Sequence, residues 1–171
     1  MTFGIMLIPD SVRALKCIHH VLQRNGRVAM TSWKSQGNWD YLVRAARIVF
    51  HDPSYPSPRF FDEKWLCGEY IANLLRQVGF RYPPNPRSVV DYRNVRVHER
   101  EHRWKWTSKE EFVKFVGRNT APSIQIYTAK WTAQQKEQVA DVIRTMLDDE
   151  FPGMETFNVP MVANIVVGSK K

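Results

Sequence analysis

Val12 to Trp33 reads VRALKCIHHVLQRNGRVAMTSW, and this stretch decides the fold. Its first half is an amphipathic helix. Val12, Leu15, Ile18, Val21 and Leu22 recur at three- and four-residue spacing, which puts them on one face. Asp10 stands at the N-cap position, where a carboxylate can accept from a free backbone N–H. Asn25-Gly26 ends the helix, because glycine takes the left-handed C′ conformation without strain. Val28, Ala29 and Met30 then form a short buried strand, which Thr31-Ser32-Trp33 leaves. A helix feeding a buried strand is the second half of a βαβ crossover. The first strand belongs upstream, yet Phe3-Gly4-Ile5-Met6 reads as loop. The expectation is a chain that begins midway through a fold.

Downstream, Lys34 to Asn38 is a polar loop and Trp39 to Phe50 a helix. Pro53, Pro56 and Pro58 make Asp52 to Arg59 a rigid connector, since proline is excluded from helix interiors. Asp62 caps the next helix, whose stripe is Leu66, Tyr70, Ile71, Leu74, Leu75 and Val78, and Gly79 stops it. Arg81 to Tyr92 is proline-rich. Val95 and Val97 alternate with Arg96 and His98, a strand signal that Trp104 and Trp106 extend. Ser108-Lys109-Glu110-Glu111 has the form of a capping box, and Thr132 with Gln135 makes a second. Asn119 to Thr128 links the two helices these boxes open. Val139, Val142, Ile143, Met146 and Leu147 form the stripe of the later one, and Phe151-Pro152-Gly153 breaks it. Val159 to Gly168 is almost continuously apolar and reads as a central strand covered on both faces.

With 171 residues, the chain suits a single domain over 1–171. No apolar run is long enough for a bilayer span, and no basic lead precedes an apolar stretch at the N-terminus. Cys17 and Cys67 fall within helical patterns and read as reduced core thiols, which suits a cytoplasmic protein. The net charge of +8 raises nucleic acid as a partner. Against it, the Lys and Arg residues are scattered, and Glu99 and Glu101 interrupt the one cluster, Arg93 to Lys105. No nucleic-acid partner is expected.

His98-Glu99-Arg100-Glu101-His102 matches the H-E-x-x-H zinc pattern, which works only on a helix. On a strand the histidines stand about 13 Å apart at roughly 3.3 Å per residue, too far to share one ion. No metal site is expected.

Phe3 to Asp10 (FGIMLIPD) followed by Ala14 to Trp33 resembles the C-terminal half of class I S-adenosylmethionine-dependent methyltransferases, nearest the UbiE-like group. In that family the passage is the loop after strand four, a helix, and strand five with its exit. The helix ending at Val78-Gly79-Phe80, the strand at Val95-Val97 and a closing strand at Val162–Val167 also fit. The resemblance implies an α/β fold of the Rossmann-like methyltransferase type, truncated to a small sheet of strands 5-7-6 flanked by helices. It also implies S-adenosylmethionine as the family's cofactor. That cofactor needs a glycine-rich turn and a carboxylate for its ribose, as in dinucleotide folds. The sequence has eight glycines, none in a GxGxG or GxGxxG arrangement. The expectation is therefore that no cofactor is bound autonomously.

Without its earlier neighbours, strand five (Arg27 to Ser32) would be an apolar edge that invites pairing. The expected partners are a second copy of the chain or a full-length methyltransferase, held through Arg27–Ser32. The mouth of the resembling enzymes lies at the strand ends, where Phe3, Met6, Trp33 and Trp39 are the candidate pocket for a small hydrophobic metabolite. None of the four is an acid, base or nucleophile. The functional expectation is a truncated methyltransferase-like protein binding or acting on such a metabolite in a biosynthetic pathway. The alternatives are a cofactor-independent cyclase or isomerase on the remodelled fold, and a non-catalytic partner subunit of a full-length methyltransferase.

Overall fold

Asp10 does open the first helix: its carboxylate accepts from the Arg13 N–H at 2.8 Å, and α1 runs Ser11–Val21. The computed structural model describes residues 4–57, 62–81, 95–117 and 122–170. In chain order β1 (Arg27–Gln36), α2 (Gly37–Val49), α3 (Gly68–Val78), β2 (Arg96–Trp106), α4 (Lys109–Val116), α5 (Pro122–Tyr127), α6 (Ala133–Glu150) and β3 (Phe157–Ser169) follow. The protein is thus mixed α/β, with six helices and a three-stranded antiparallel sheet among the described residues. The strand order is β1-β3-β2. The Asn25 N–H donates to the Lys170 carbonyl, and the Lys170 N–H to the Gly26 carbonyl, which sets the end of β3 beside the start of β1.

Two compact units emerge, and the strands pass through both. The first comprises Met1–Ser35, Phe61–His102 and Val162–Lys171. Its core takes Leu15 from α1, Val28 and Met30 from β1, Ile71, Leu74 and Leu75 from α3, and Val166 from β3. Ile5 and Met6, from the short 3-10 turn Ile5–Leu7, complete it. This turn stands where loop was expected. Val21 is 77% exposed rather than part of the helix stripe. It lies nine residues beyond Val12, half a turn away around the axis at about 100° per residue. Cys17 is exposed for the same reason, lying two residues beyond the buried Leu15. Cys67 is exposed as well, and it is the N-cap of α3 rather than a helix interior residue. Neither thiol belongs to the core.

Further corrections concern element ends. The left-handed residue after α1 is Asn25, at φ 63°, not Gly26. Asparagine tolerates that region. Gly26 is needed for another reason: a Cβ there would lie 2.7 Å from the Gln23 carbonyl oxygen. Asp62 caps a separate 3-10 turn, Glu63–Leu66, so Leu66 leaves the α3 stripe and is 37% exposed. Gly79, at φ 105°, ends α3 as its position predicts. The polar stretch Lys34–Asn38 is not a loop. β1 continues through Lys34 and Ser35 to Gln36, and α2 starts at Gly37. Pairing with a long partner strand holds polar residues in extended form where their propensities alone would not.

The second unit comprises Gln36–Phe60 and Arg103–Met161. Tyr41, Leu42, Ala45 and Ala46 of α2 meet Phe112, Val113 and Val116 of α4 and Val139, Ala140, Ile143 and Leu147 of α6. Phe157 and Val159 close that core from β3. The Thr132–Gln135 box is complete: the Gln135 N–H donates to the Thr132 hydroxyl at 3.2 Å, and the Thr132 N–H to the Gln135 side-chain oxygen at 2.8 Å. The box at Ser108 is only half closed. The Ser108 hydroxyl accepts from the Glu111 N–H, while the Glu111 carboxylate accepts from the Thr107 hydroxyl at 3.4 Å. The described part of the 119–128 link is the helix α5.

β3 is central in the strand order but is not covered on both faces along its length. In the first unit Asn164, Val166 and Gly168 are buried, while Ala163, Ile165 and Val167 are half-buried. In the second unit Phe157, Val159 and Met161 are buried, and Asn158 and Pro160 exposed. β1 keeps its end position in the order. Among the described residues it is thus the edge strand expected of Arg27–Ser32, though not a bare one. Val28, Met30 and Ser32 are buried within the chain, and Ala29, Thr31 and Trp33 each have an interaction of their own.

Candidate functional site

The end of β1 in the first unit carries a buried polar knot. Ser32 and Asn164 are each fully buried. The Asn164 amide nitrogen donates to the Ser32 hydroxyl at 3.3 Å and to the Leu66 carbonyl at 2.9 Å. Its Oδ1 has no hydrogen-bond partner among the described residues. The knot sits against the start of α3, where Gly68 allows the approach. A Cβ on Gly68 would collide with a Val97 methyl and lie 3.0 Å from that same Oδ1. Burying an amide is costly unless its groups are paired, so this one is tolerated because two of its bonds tie three segments together. The sequence signal was available: Asn164 is a lone amide inside an apolar run.

Of the four pocket candidates, Met6 is packed in the first unit's core, at 8% exposure. Trp33 is half-buried in the same unit. Trp39 belongs to the second unit, where it meets Tyr127 edge to face at 6.1 Å between ring centres. Phe3 lies outside the described residues.

Around Trp39 the second unit gathers an aromatic group that the sequence reading did not assemble. Phe50 stacks on Tyr55 at 4.6 Å, and Trp131 meets Phe50 at 5.2 Å. The Trp131 indole N–H donates to the Tyr55 hydroxyl at 2.7 Å, and the Tyr127 hydroxyl to the Pro56 carbonyl at 2.6 Å. Burial raises the Tyr127 phenol well above its ordinary value. Rings this close fill their own space and act as packing. Nearby in sequence, the Tyr41 hydroxyl donates to the Glu150 carboxylate, which also pairs with Arg44 at 2.9 Å. Burial and then Glu150 drive the Tyr41 phenol upward, so it stays protonated. Asp40 is raised by burial, an effect that Arg44 opposes.

The buried polar side chains among the described residues are Ser32, Asn38, Thr128, Asn164 and Ser169, all neutral. No group of three or more metal-ligating side chains occurs among the described residues. His98 and His102 are exposed on the strand β2, which spaces them along an extended backbone and not on one face of a helix. No helix is long and apolar enough to cross a membrane among the described residues. No protein-family model matches the chain, and no curated protein matches it.

Proposed function

We propose that this chain forms the later part of a Rossmann-like methyltransferase fold and binds a small apolar metabolite near the end of β1. The strand order supports the reading: the last strand, β3, lies between the first two. Strands five, seven and six take that order in the fold the sequence resembles. The placement of Trp33, half-buried just beyond the Ser32–Asn164 knot, supports the ligand side of the reading.

Calorimetry on the chain alone tests the cofactor account. No heat of binding with S-adenosylmethionine is expected, and micromolar binding would refute it. Intrinsic tryptophan fluorescence, titrated with a panel of small apolar metabolites, tests the ligand side. A saturable change that Trp33→Ala abolishes is expected; a panel without any saturable response counts against the reading.

One observation favours a second reading, a non-catalytic partner subunit. The buried polar residues named above are neutral and cannot exchange a proton near neutral pH. Incubating the same panel without cofactor separates this from cyclase or isomerase chemistry, which alone would give turnover.

A further inference from the structure

Charge is divided unevenly between the two units. The first holds 14 Lys and Arg against seven Asp and Glu, so it carries +7 of the net +8. Much of that excess lies in one stretch: Ser11 to Ser35 has five Lys and Arg and no carboxylate. Arg13 and Lys16 are exposed on α1, and Arg24 and Arg27 are exposed on either side of the Asn25-Gly26 turn that leads into β1. No ion pair among the described residues engages any of the four. Lys170 reaches the same corner, but its Nζ donates to the His20 and Leu22 carbonyls at 3.1 and 2.8 Å and so caps the end of α1. Two aliphatic side chains bracket the helix in the open. Leu7 stands just before it at 64% exposure, and Val21 in its last turn at 77%.

We propose that the outer face of α1 and the turn after it, Arg13, Lys16, Arg24 and Arg27 with Leu7 and Val21, dock on an anionic lipid surface. Like charges a turn apart repel, and an anionic surface brought against them relieves that repulsion. A bilayer surface answers to charge plus modest apolar insertion and needs no complementary pocket. A protein partner of ordinary interface size needs an apolar centre, and here the apolar part is two separate aliphatics. A second copy offers no acidic surplus in either unit. Single-stranded nucleic acid stacks its bases on aromatic rings, and Ser11 to Ser32 contains no Phe, Tyr or Trp.

The test is co-sedimentation of the full chain with vesicles of phosphatidylcholine, alone or mixed with phosphatidylserine. Binding is expected only to the phosphatidylserine vesicles, and should be lost at about 1 M salt, where charges act over roughly 3 Å. Arg24→Glu should weaken it roughly fivefold or more, since each cation near an anionic surface contributes about that factor. Val21→Ser should weaken it too, through lost apolar insertion. Lys130→Glu, an equal charge change at an exposed site in the second unit, should leave it unaltered. All three positions are exposed, so the variants should keep the parent circular dichroism. No capture by phosphatidylserine vesicles overturns the proposal, as does equal capture by phosphatidylcholine alone. So does binding unchanged in Arg24→Glu or Val21→Ser, an effect of Lys130→Glu as large as that of Arg24→Glu, or a preference for polyuridylate or polyglutamate over the vesicles.

Discussion

Asn164 shows how much one side chain can decide. Its amide nitrogen joins β3 to Ser32 on β1 and to the Leu66 carbonyl ahead of α3. Asn164→Ala removes both bonds and takes this donor from the buried Ser32 hydroxyl and from the Leu66 carbonyl, so a loss of about 1–3 kcal/mol is expected in urea unfolding. Asn164→Asp should cost more, because it keeps the shape but brings a carboxylate to a fully buried position. His19 offers a pH test. It packs edge to face on Phe80 at 4.8 Å, and burial, followed by the charge of Lys170, lowers its pKa below the ordinary 6.5. Between the two values the unfolded chain binds the extra proton. His19 therefore contributes its full stability above 6.5 and loses it as pH falls through that value towards the folded pKa. His19→Gln should flatten this part of the stability profile; acid sensitivity identical to the parent would exclude the role.

The elements follow their local instructions closely where an instruction exists. The complete cap at Thr132 starts α6, and the left-handed Gly79 ends α3. Close approach adds a different constraint at Gly68. There a methyl group would strike Val97 and crowd Asn164, so Gly68→Ala is expected to cost about 1–3 kcal/mol by overpacking, measured by denaturant midpoint. Gly153→Ala isolates the backbone contribution instead: nothing stands within 4 Å of its added Cβ, but its φ of 68° strains any side chain. β2 is the opposite sort of element: nearly every residue from His98 to Lys105 is exposed, and alternation alone marks it as a strand.

At the scale of the molecule, two separate clusters carry the apolar packing. Leu147→Ala, in the second, should cost about 2–5 kcal/mol, the range for a buried leucine truncated to a cavity. Hydrogen exchange should then rise first in α2, α4 and α6, whose side chains share that cluster; an even rise across the chain would contradict this. The sequence by itself determined most helix existence and several helix ends. Caps close through bonds between residues three or four apart, as at Asp10–Arg13 and Thr132–Gln135, so they are written locally. It also marked β2 by alternation and the aliphatic content of β3. Tertiary structure alone decided which of those aliphatic residues are covered and why β1 runs on through Lys34 and Ser35. Burial depends on what another element brings against a side chain, and that neighbour lies tens of residues away in the sequence. The Asn164 knot belongs to the same class: its partners are 132 and 98 positions distant, and only folding brings them together.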